Sequence, residues 1–384
     1  MIDQDVLERV LAAAVRTGAD FAEVFAEDKR STSVGLDDGR VEQVTSGRDR
    51  GAGSRVVKGD TTGFAHTADL SEAGLRAAAE AAAAAASQGG GGARTVALTR
   101  GAERVVSPVS QYPDDVRKAD KVALLLRMND AARGAGASIV QVSAGYGDSR
   151  KHILVANTDG VFVTDQQVRT LIRVTAVADG DAGMQTGSQS AGQTIGFELF
   201  DQVDVEDLAR DAARMAITKL DARPAPSGAL PVVIKQGSGG VLFHEACGHG
   251  LEADIIAKGG SVYRGKKGEL VASPLVTLVD DGTMRGEWGA IAYDDEGHAS
   301  QYNVLIENGV LTDYMWDYLR ARNDGRPQSG NGRRQSYQHL PMVRMTNTYV
   351  LNGADEPDDI VRATEYGVYV AKLGGGSVNT ASGD

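Results

Sequence analysis

Apolar side chains at Val6, Leu7, Val10, Leu11, Ala14 and Val15 recur at helical spacing and predict a helix over 3–17, with Gly18 placed to stop it. From 21 to 67 the pattern changes to short strands separated by Asp-Gly signals, DDG at 37–39 and KGD at 58–60. Ser71 is the N-cap of an Ala-rich helix over 72–86, and QGGGG at 88–92 ends it as a flexible connection. The same order then recurs: a helix over 116–134 stopped by Gly134 or Gly136, strands from Ile139 to about Gln185, and a helix over 204–220. Segments 35–66 and 155–186 run parallel in turn, strand, Arg-led strand and Gly-Asp turn. They predict a duplicated helix–antiparallel sheet–helix unit filling residues 1–222.

Pro224 and Pro226 break the chain, and a second domain is expected over 230–384. PVVIK (231–235) reads as a buried strand. Residues 261–350 alternate short β-rich runs with turns, interrupted by a helix over 313–323 and followed by one over 357–366. Trp288 and Trp316 are read as core positions. The fold class expected is α+β, an N-terminal duplicated helix/antiparallel-sheet domain followed by a β-rich C-terminal domain.

Composition sharpens this picture in three places. With 48 Gly in 384 residues, turns and hairpins must be frequent. A single Cys excludes a disulfide framework and metal sites built on several thiolates. Forty basic against 52 acidic residues, net −12, argue against nucleic acid as a partner. The start MIDQDVLERV has neither a basic nor an apolar leader region, and no apolar run is long enough to span a bilayer. A cytoplasmic protein without a membrane partner is therefore expected.

The sharpest chemical motif is KQGSGGVLFHEACGHGLEAD (235–254), a strand, a Gly-rich loop and then a helix bearing His244, Glu245 and His249. Zinc-hydrolase helices space two His by four residues, about 40° apart around the axis. A spacing of five puts them about 140° apart on a regular helix. A π-bulge or break realigns positions i and i+5, and Gly248 and Gly250 stand where such a distortion costs least. His244 and His249 are therefore candidate Zn²⁺ ligands and Glu245 a candidate general base toward an activated water. Cys247, Glu252, Asp254 and His298 are the in-chain candidates for a third ligand, although Cys247 reads better as a small buried residue.

Other motifs carry less. GSGG (237–240) matches neither phosphate-loop pattern. DDG (280–282) and DDEG (294–297) offer Ca²⁺ or Mg²⁺ ligands but read better as tight turns. GNGRR (330–334) could recognise a carboxylate or phosphate through Arg333 and Arg334, or be an exposed loop. RMTNT (344–348) reads as a strand whose polar side chains line a site or cap a bulge.

HEACGHGLEAD, with DDGT, YDDEG, LIENGVL, SGNGRRQSY, RMTNTYV and YGVYVAKLGGG, closely resembles the TldD/PmbA family of peptidases, in order and densest from about 230 to 376. The HExxxH matches its catalytic TldD-type members. The resemblance implies a zinc metallopeptidase that degrades or trims unstructured peptides, of the kind that matures peptide antibiotics or removes antitoxin-like proteins. It implies a dimer, either a homodimer or a pairing with a TldE-type subunit. It places the metal on His244 and His249 and the general base on Glu245. Glu252, Asp254, Arg344 and Asn347 are expected to bind substrate or support the ligands. The family's third ligand is a downstream Cys that this chain does not contain, so the resemblance also implies a missing C-terminal segment and leaves the third ligand unknown. An extended peptide would lie against a strand edge, either about 271–279 or RMTNT. The alternative is a non-catalytic peptide-binding or scaffold subunit with an incomplete metal site.

Overall fold

Helix α1 (Gln4–Val15) turns Leu7, Val10, Leu11, Ala14 and Val15 inward, and Gly18, at φ 81°, lets the chain turn away from it. Strands β1 (Phe21–Asp37), β2 (Arg40–Lys58) and β3 (Thr61–Thr67) follow, then α2 (Glu72–Ala86). After the two-residue β4 (Thr99–Arg100) come α3 (Lys118–Gly134), β5 (Ile139–Asn157), β6 (Val161–Ala178), β7 (Gln185–Gln193) and α4 (Val205–Leu220). The structure is a computed structural model that describes residues 1–86, 95–181, 183–374 and 377–382. The connection expected at 88–92 and part of the 373–384 tail lie outside those residues.

The N-terminal strands are long rather than short. β1, β2, β5 and β6 run 17 to 19 residues, because an antiparallel ladder is made of backbone bonds and continues through polar stretches such as Asp28–Ser33. β1 pairs β5 antiparallel at the centre of the sheet, in the order β3-β2-β1-β5-β6, with β7 also on β6 and β4 joining it in parallel. Each helix–three strands–helix unit thus extends outward from the same seam.

The period-2 alternation of strands explains how one sheet serves two layers. Even positions, Ala22, Val24 and Ala26 with Leu154 and Ala156, join α1 and α2 in one apolar cluster. Even positions further along, Val34, Val142, Tyr146, Ile172 and Val174, join α3 and α4 in another. Odd positions Phe25, Ile153, Val155 and Val163 face the C-terminal half and pack on Ala292, Tyr293 and Tyr337. A buried ionic cluster locks the two halves together. Arg55 reaches Glu23 at 3.1 Å and Glu296 at 2.8 Å, and Arg334 pairs with Glu23. Arg334, read above as belonging to an exposed loop or an anion site, is buried, and its anion is a carboxylate of the same chain.

Beyond Leu230 the strands are short: β8 (Val232–Ile234), β9 (Leu278–Asp281), β10 (Tyr302–Glu307), β11 (Val310–Leu311), β12 (Gly332–Arg333), β13 (Met342–Val343), β14 (Thr348–Val350) and β15 (Val368–Val370). Helices α5 (Gly240–Phe243), α6 (Ala253–Ala257), α7 (Tyr318–Asn323) and α8 (Pro357–Ala363) join them. The expected buried strand at 231–235 is instead β8, paired in parallel with β15, with Val232 54% exposed. The helix expected over 313–323 begins only at Tyr318, where Asp317 caps it through the Arg320 backbone N–H at 2.8 Å. Trp316 is buried as expected, but Trp288 is 45% exposed. Among the described residues, no helix is long and apolar enough to cross a membrane.

Candidate metal centre

The Gly-rich loop 237–240 feeds α5, and the helix then widens. Residues His244–Gly248 form a π turn, with the backbone N–H of His249 donating to the His244 carbonyl five residues back, before a tight 3-10 turn over His249–Leu251. This is the distortion that five-residue spacing requires. It brings the two imidazoles edge to face, with centroids 4.9 Å apart. Gly248 is needed at this point because a Cβ there would stand 2.1 Å from Met345 Sδ, and Met345 is itself buried.

Imidazole nitrogens of His244 and His249 and a carboxylate oxygen of Glu245 all lie within 4.8 Å of one another. Among the described residues, this is the group of His, Cys, Asp and Glu side chains so gathered. Glu245 Oε2 stands 3.9 Å from His249 Nε2. On the other side of that ring, His249 Nδ1 meets Glu252 Oε1 at 3.1 Å. Ionised Glu252 only accepts, so Nδ1 carries the proton and Nε2 keeps a free lone pair toward Glu245. Glu252 is fully buried and fixed in turn by Arg344 Nη1 at 2.8 Å on its second oxygen. A carboxylate that orients a ligand imidazole from behind also raises its basicity. The His249 pKa is accordingly raised, chiefly by this bond, whereas burial, then the neighbouring His249, lowers that of His244. Two imidazoles and a carboxylate, with one imidazole so oriented, form a donor set that fits Zn²⁺.

Of the remaining candidates, Cys247 is half-buried against apolar neighbours, accepts a contact from Tyr263 Oη at 3.3 Å, and has its pKa raised by burial. Asp254 lies beyond the turn, 3.7 Å from Lys258 Nζ, and is not among the gathered ligands. Asn347 is not at the centre either: its side chain binds the Gly289 N–H at 2.7 Å and the Asp281 carbonyl at 2.8 Å. His298 sits in the DDEG turn, where Asp294 Oδ1 accepts its N–H at 2.8 Å, and Gly297 takes φ 82°. Asp280 likewise serves structure. It accepts from Asn331 Nδ2, the Thr346 N–H, Thr346 Oγ1 and Thr348 Oγ1, all at 2.7–2.8 Å.

The expected peptide-binding edges change as well. Residues 271–277, containing Pro274, are not a strand, and β9 is flanked on both sides by β10 and β14. In RMTNT only Thr348 belongs to a strand, β14, which lies at the end of that sheet and packs beside α5 and the π turn. Met345 beneath Gly248, the Asp280 hub and the Arg55 cluster have no signature in the sequence. Their partners lie tens to hundreds of residues apart, and no local pattern announces them.

Three family models match the chain: PmbA/TldA metallopeptidase domain 1 over 22–86, the central domain over 111–220 and the C-terminal domain over 227–384. A Haemophilus influenzae protein named metalloprotease TldD homolog is 38% identical over 376 residues, covering 95% of this chain and 77% of the relative. A Methanothermobacter thermautotrophicus metalloprotease is 34% identical over 385 residues, covering 100% of this chain and 83% of its own. Among solved structures, TldE from Thermococcus kodakarensis superposes with a TM-score of 0.79 at 20% identity, covering 97% of this chain and 83% of that one. A Thermotoga maritima protein gives 0.81 at 21% identity, covering 99% and 85%.

Proposed function

The chain belongs to the PmbA/TldD metallopeptidase family, and from that premise we propose that it is a zinc-dependent peptidase acting on unstructured peptides, with Glu245 as its general base. The observation that carries this reading is the π turn, which gathers His244, Glu245 and His249 while Glu252 holds the His249 tautomer. His244 and His249 would hold the ion. When bound, zinc supplies a Lewis acid that polarises a scissile carbonyl and makes water more acidic. Glu245 then takes a proton from the attacking water and returns it to the leaving amine, in reach of a group held at His249. Arg344 acts through Glu252 and is a positioning residue. An extended peptide would bind by main-chain hydrogen bonds along β14, a mode that reads little sequence. The assembly we propose is a dimer, of two such chains or of one with a TldE-type partner, supported by the shared fold with the Thermococcus protein.

Replacing Glu245 by Ala should lower peptide cleavage by on the order of 10²–10⁴-fold while zinc stays bound. Undiminished cleavage refutes the role. A second reading is favoured by one observation. The third gathered donor is Glu245 itself, and a carboxylate that ligates the ion is not free to act as base. In that case the chain is a non-catalytic peptide-binding or scaffold subunit. Elemental analysis of Glu245→Ala separates the two, since a ligand's removal lowers zinc stoichiometry and a base's removal does not.

A further inference from the structure

The odd face of the central sheet, apolar around Phe25 and Ile153, turns cationic in its middle. Lys29 stands directly opposite Lys151 across the β1–β5 ladder, and Arg169 stands opposite Ser149 across β5–β6. Like charges facing each other on neighbouring strands repel, and such a pairing persists only where something offsets it. These side chains, with Arg333 from β12, line a cavity of about 180 Å³ between the sheet and the C-terminal half.

The acids present offset this group only in part. Asp295 is engaged at both oxygens, by Lys151 Nζ at 3.4 Å and by the Arg334 N–H at 2.8 Å. Glu27 is buried at the same face, where burial pushes its pKa up against the opposing pull of Lys151 and Lys29. Arg334 belongs to Glu23. Lys29, Arg169 and Arg333 are left with no ion pair among the described residues. Arg169 lies over the Trp288 ring at 5.5 Å, and its Nε is buried without a hydrogen-bond acceptor. Burial and the nearby Arg333 lower its pKa against the opposing pull of Asp295 and Asp165, so the two guanidiniums sense each other's charge. A buried guanidinium N–H without an acceptor, beside a second guanidinium, is the arrangement that an incoming carboxylate would complete.

The cavity is also tied to the metal turn. Arg333 Nη1 donates to the Met345 carbonyl at 3.0 Å, and Met345 is the residue whose sulfur packs under Gly248. The geometry points to a carboxylate-binding subsite at Arg169, Arg333 and Lys29 that anchors an acidic group of the peptide substrate. This rests on the peptidase reading for the identity of the ligand. The carboxylate belongs either to the peptide's C-terminus or to an Asp or Glu side chain along it.

The test is a binding measurement without turnover, on the full chain carrying Glu245→Gln. An N-terminally fluorescein-labelled, otherwise uncharged ten-residue peptide is titrated by anisotropy in three forms: free C-terminal carboxylate, C-terminal amide, and amide with one internal Asp. At least one carboxylate form should bind 10-fold or more tightly than the plain amide, and which one does so identifies the source. Arg169→Met should reduce that advantage below 3-fold and leave the amide's Kd unchanged. Exposed Lys29, replaced by Met, should reduce it several-fold and decides the matter if Arg169→Met does not fold. Equal affinities for all three peptides, no measurable binding of any, or an advantage that survives the folded variants overturns the subsite. Failure of the peptidase reading shows separately, as absence of cleavage of the amide peptide by the zinc-loaded parent chain.

Discussion

In the N-terminal half, strands of 17 to 19 residues bond to one another along their length, and four helices close over one face with Leu, Val and Ala side chains. In the C-terminal half the described strands run two to six residues, and much of the backbone between them is held by buried side chains, Asp280, Asp294, Asn331 and Glu296 foremost. A ladder satisfies its own N–H and C=O groups, whereas irregular chain must find other partners for them. Buried carboxylates and amides are those partners here. The same economy shapes the proposed metal centre, because a chain already held by buried acids can direct one of them, Glu252, at the back of an imidazole. The regular half supplies stability and a platform, and the irregular half supplies oriented charge.

Removing Asp280 should break this division most visibly. Asp280→Ala strands the Thr346 N–H and Asn331 Nδ2 in the interior, together with two hydroxyls. The expected loss is about 4 kcal/mol of unfolding free energy, read by denaturant titration. Zinc affinity should fall with it, since Arg344 and Met345 adjoin the segment Asp280 holds. A stability loss with unaltered zinc affinity would show that the hub and the centre are uncoupled.

Leu11→Ala probes the other half. Its side chain is fully buried in the α1–α2 cluster, and truncation should cost about 3 kcal/mol through lost burial and a residual cavity. Zinc affinity and cleavage per folded molecule should stay unchanged, measured below the shifted melting transition. If both fall, the sheet does more than support the centre.

Glu252→Gln should leave the fold in place, because the amide oxygen still accepts from His249 Nδ1. It removes the negative charge that pairs with Arg344 and that would make His249 a stronger ligand in the proposed site. A drop of about 10–100-fold in zinc affinity is expected by chelator competition. An unaltered affinity would mean that the bond behind His249 orients nothing.

What could be read from the residues follows the same divide. The π turn was legible because i,i+5 spacing and Gly248 are local facts that constrain each other. The helix over 72–86 and the hairpin turns at 37–39 and 58–60 were equally local. Strand length was not, since the polar run 28–33 gives no sign of one continuous strand until β5 is laid beside it. The exposure of Trp288, the position of Asn347 and the burial of Arg334 were also hidden, because each depends on a partner far along the chain. Arg334 and Glu23 are 311 residues apart. Composition near Arg334 describes a polar loop, and only the docking of the two halves turns it into core.

The smallest effect expected is also the cleanest check that the two halves act independently. Gly39 closes the β1–β2 hairpin at φ 78°, beside Asp38 at φ 49°, and its nearest non-local neighbour is the Asn129 side chain of α3. A Cβ there would meet Asn129 at 3.6 Å, an ordinary contact without a clash, so Gly39→Ala acts through backbone conformation. Holding an L-residue in the left-handed region costs about 1–2 kcal/mol. A turn joined to two ladders this long cannot relax without shifting their register, and a one-residue slip would reverse both faces of the sheet. The variant should therefore keep its register, take the strain and melt slightly earlier, with zinc affinity unchanged. A variant that instead loses zinc affinity would show that register strain at the far hairpin reaches the C-terminal half through the odd face of β1, where Glu23 meets Arg55 and Arg334.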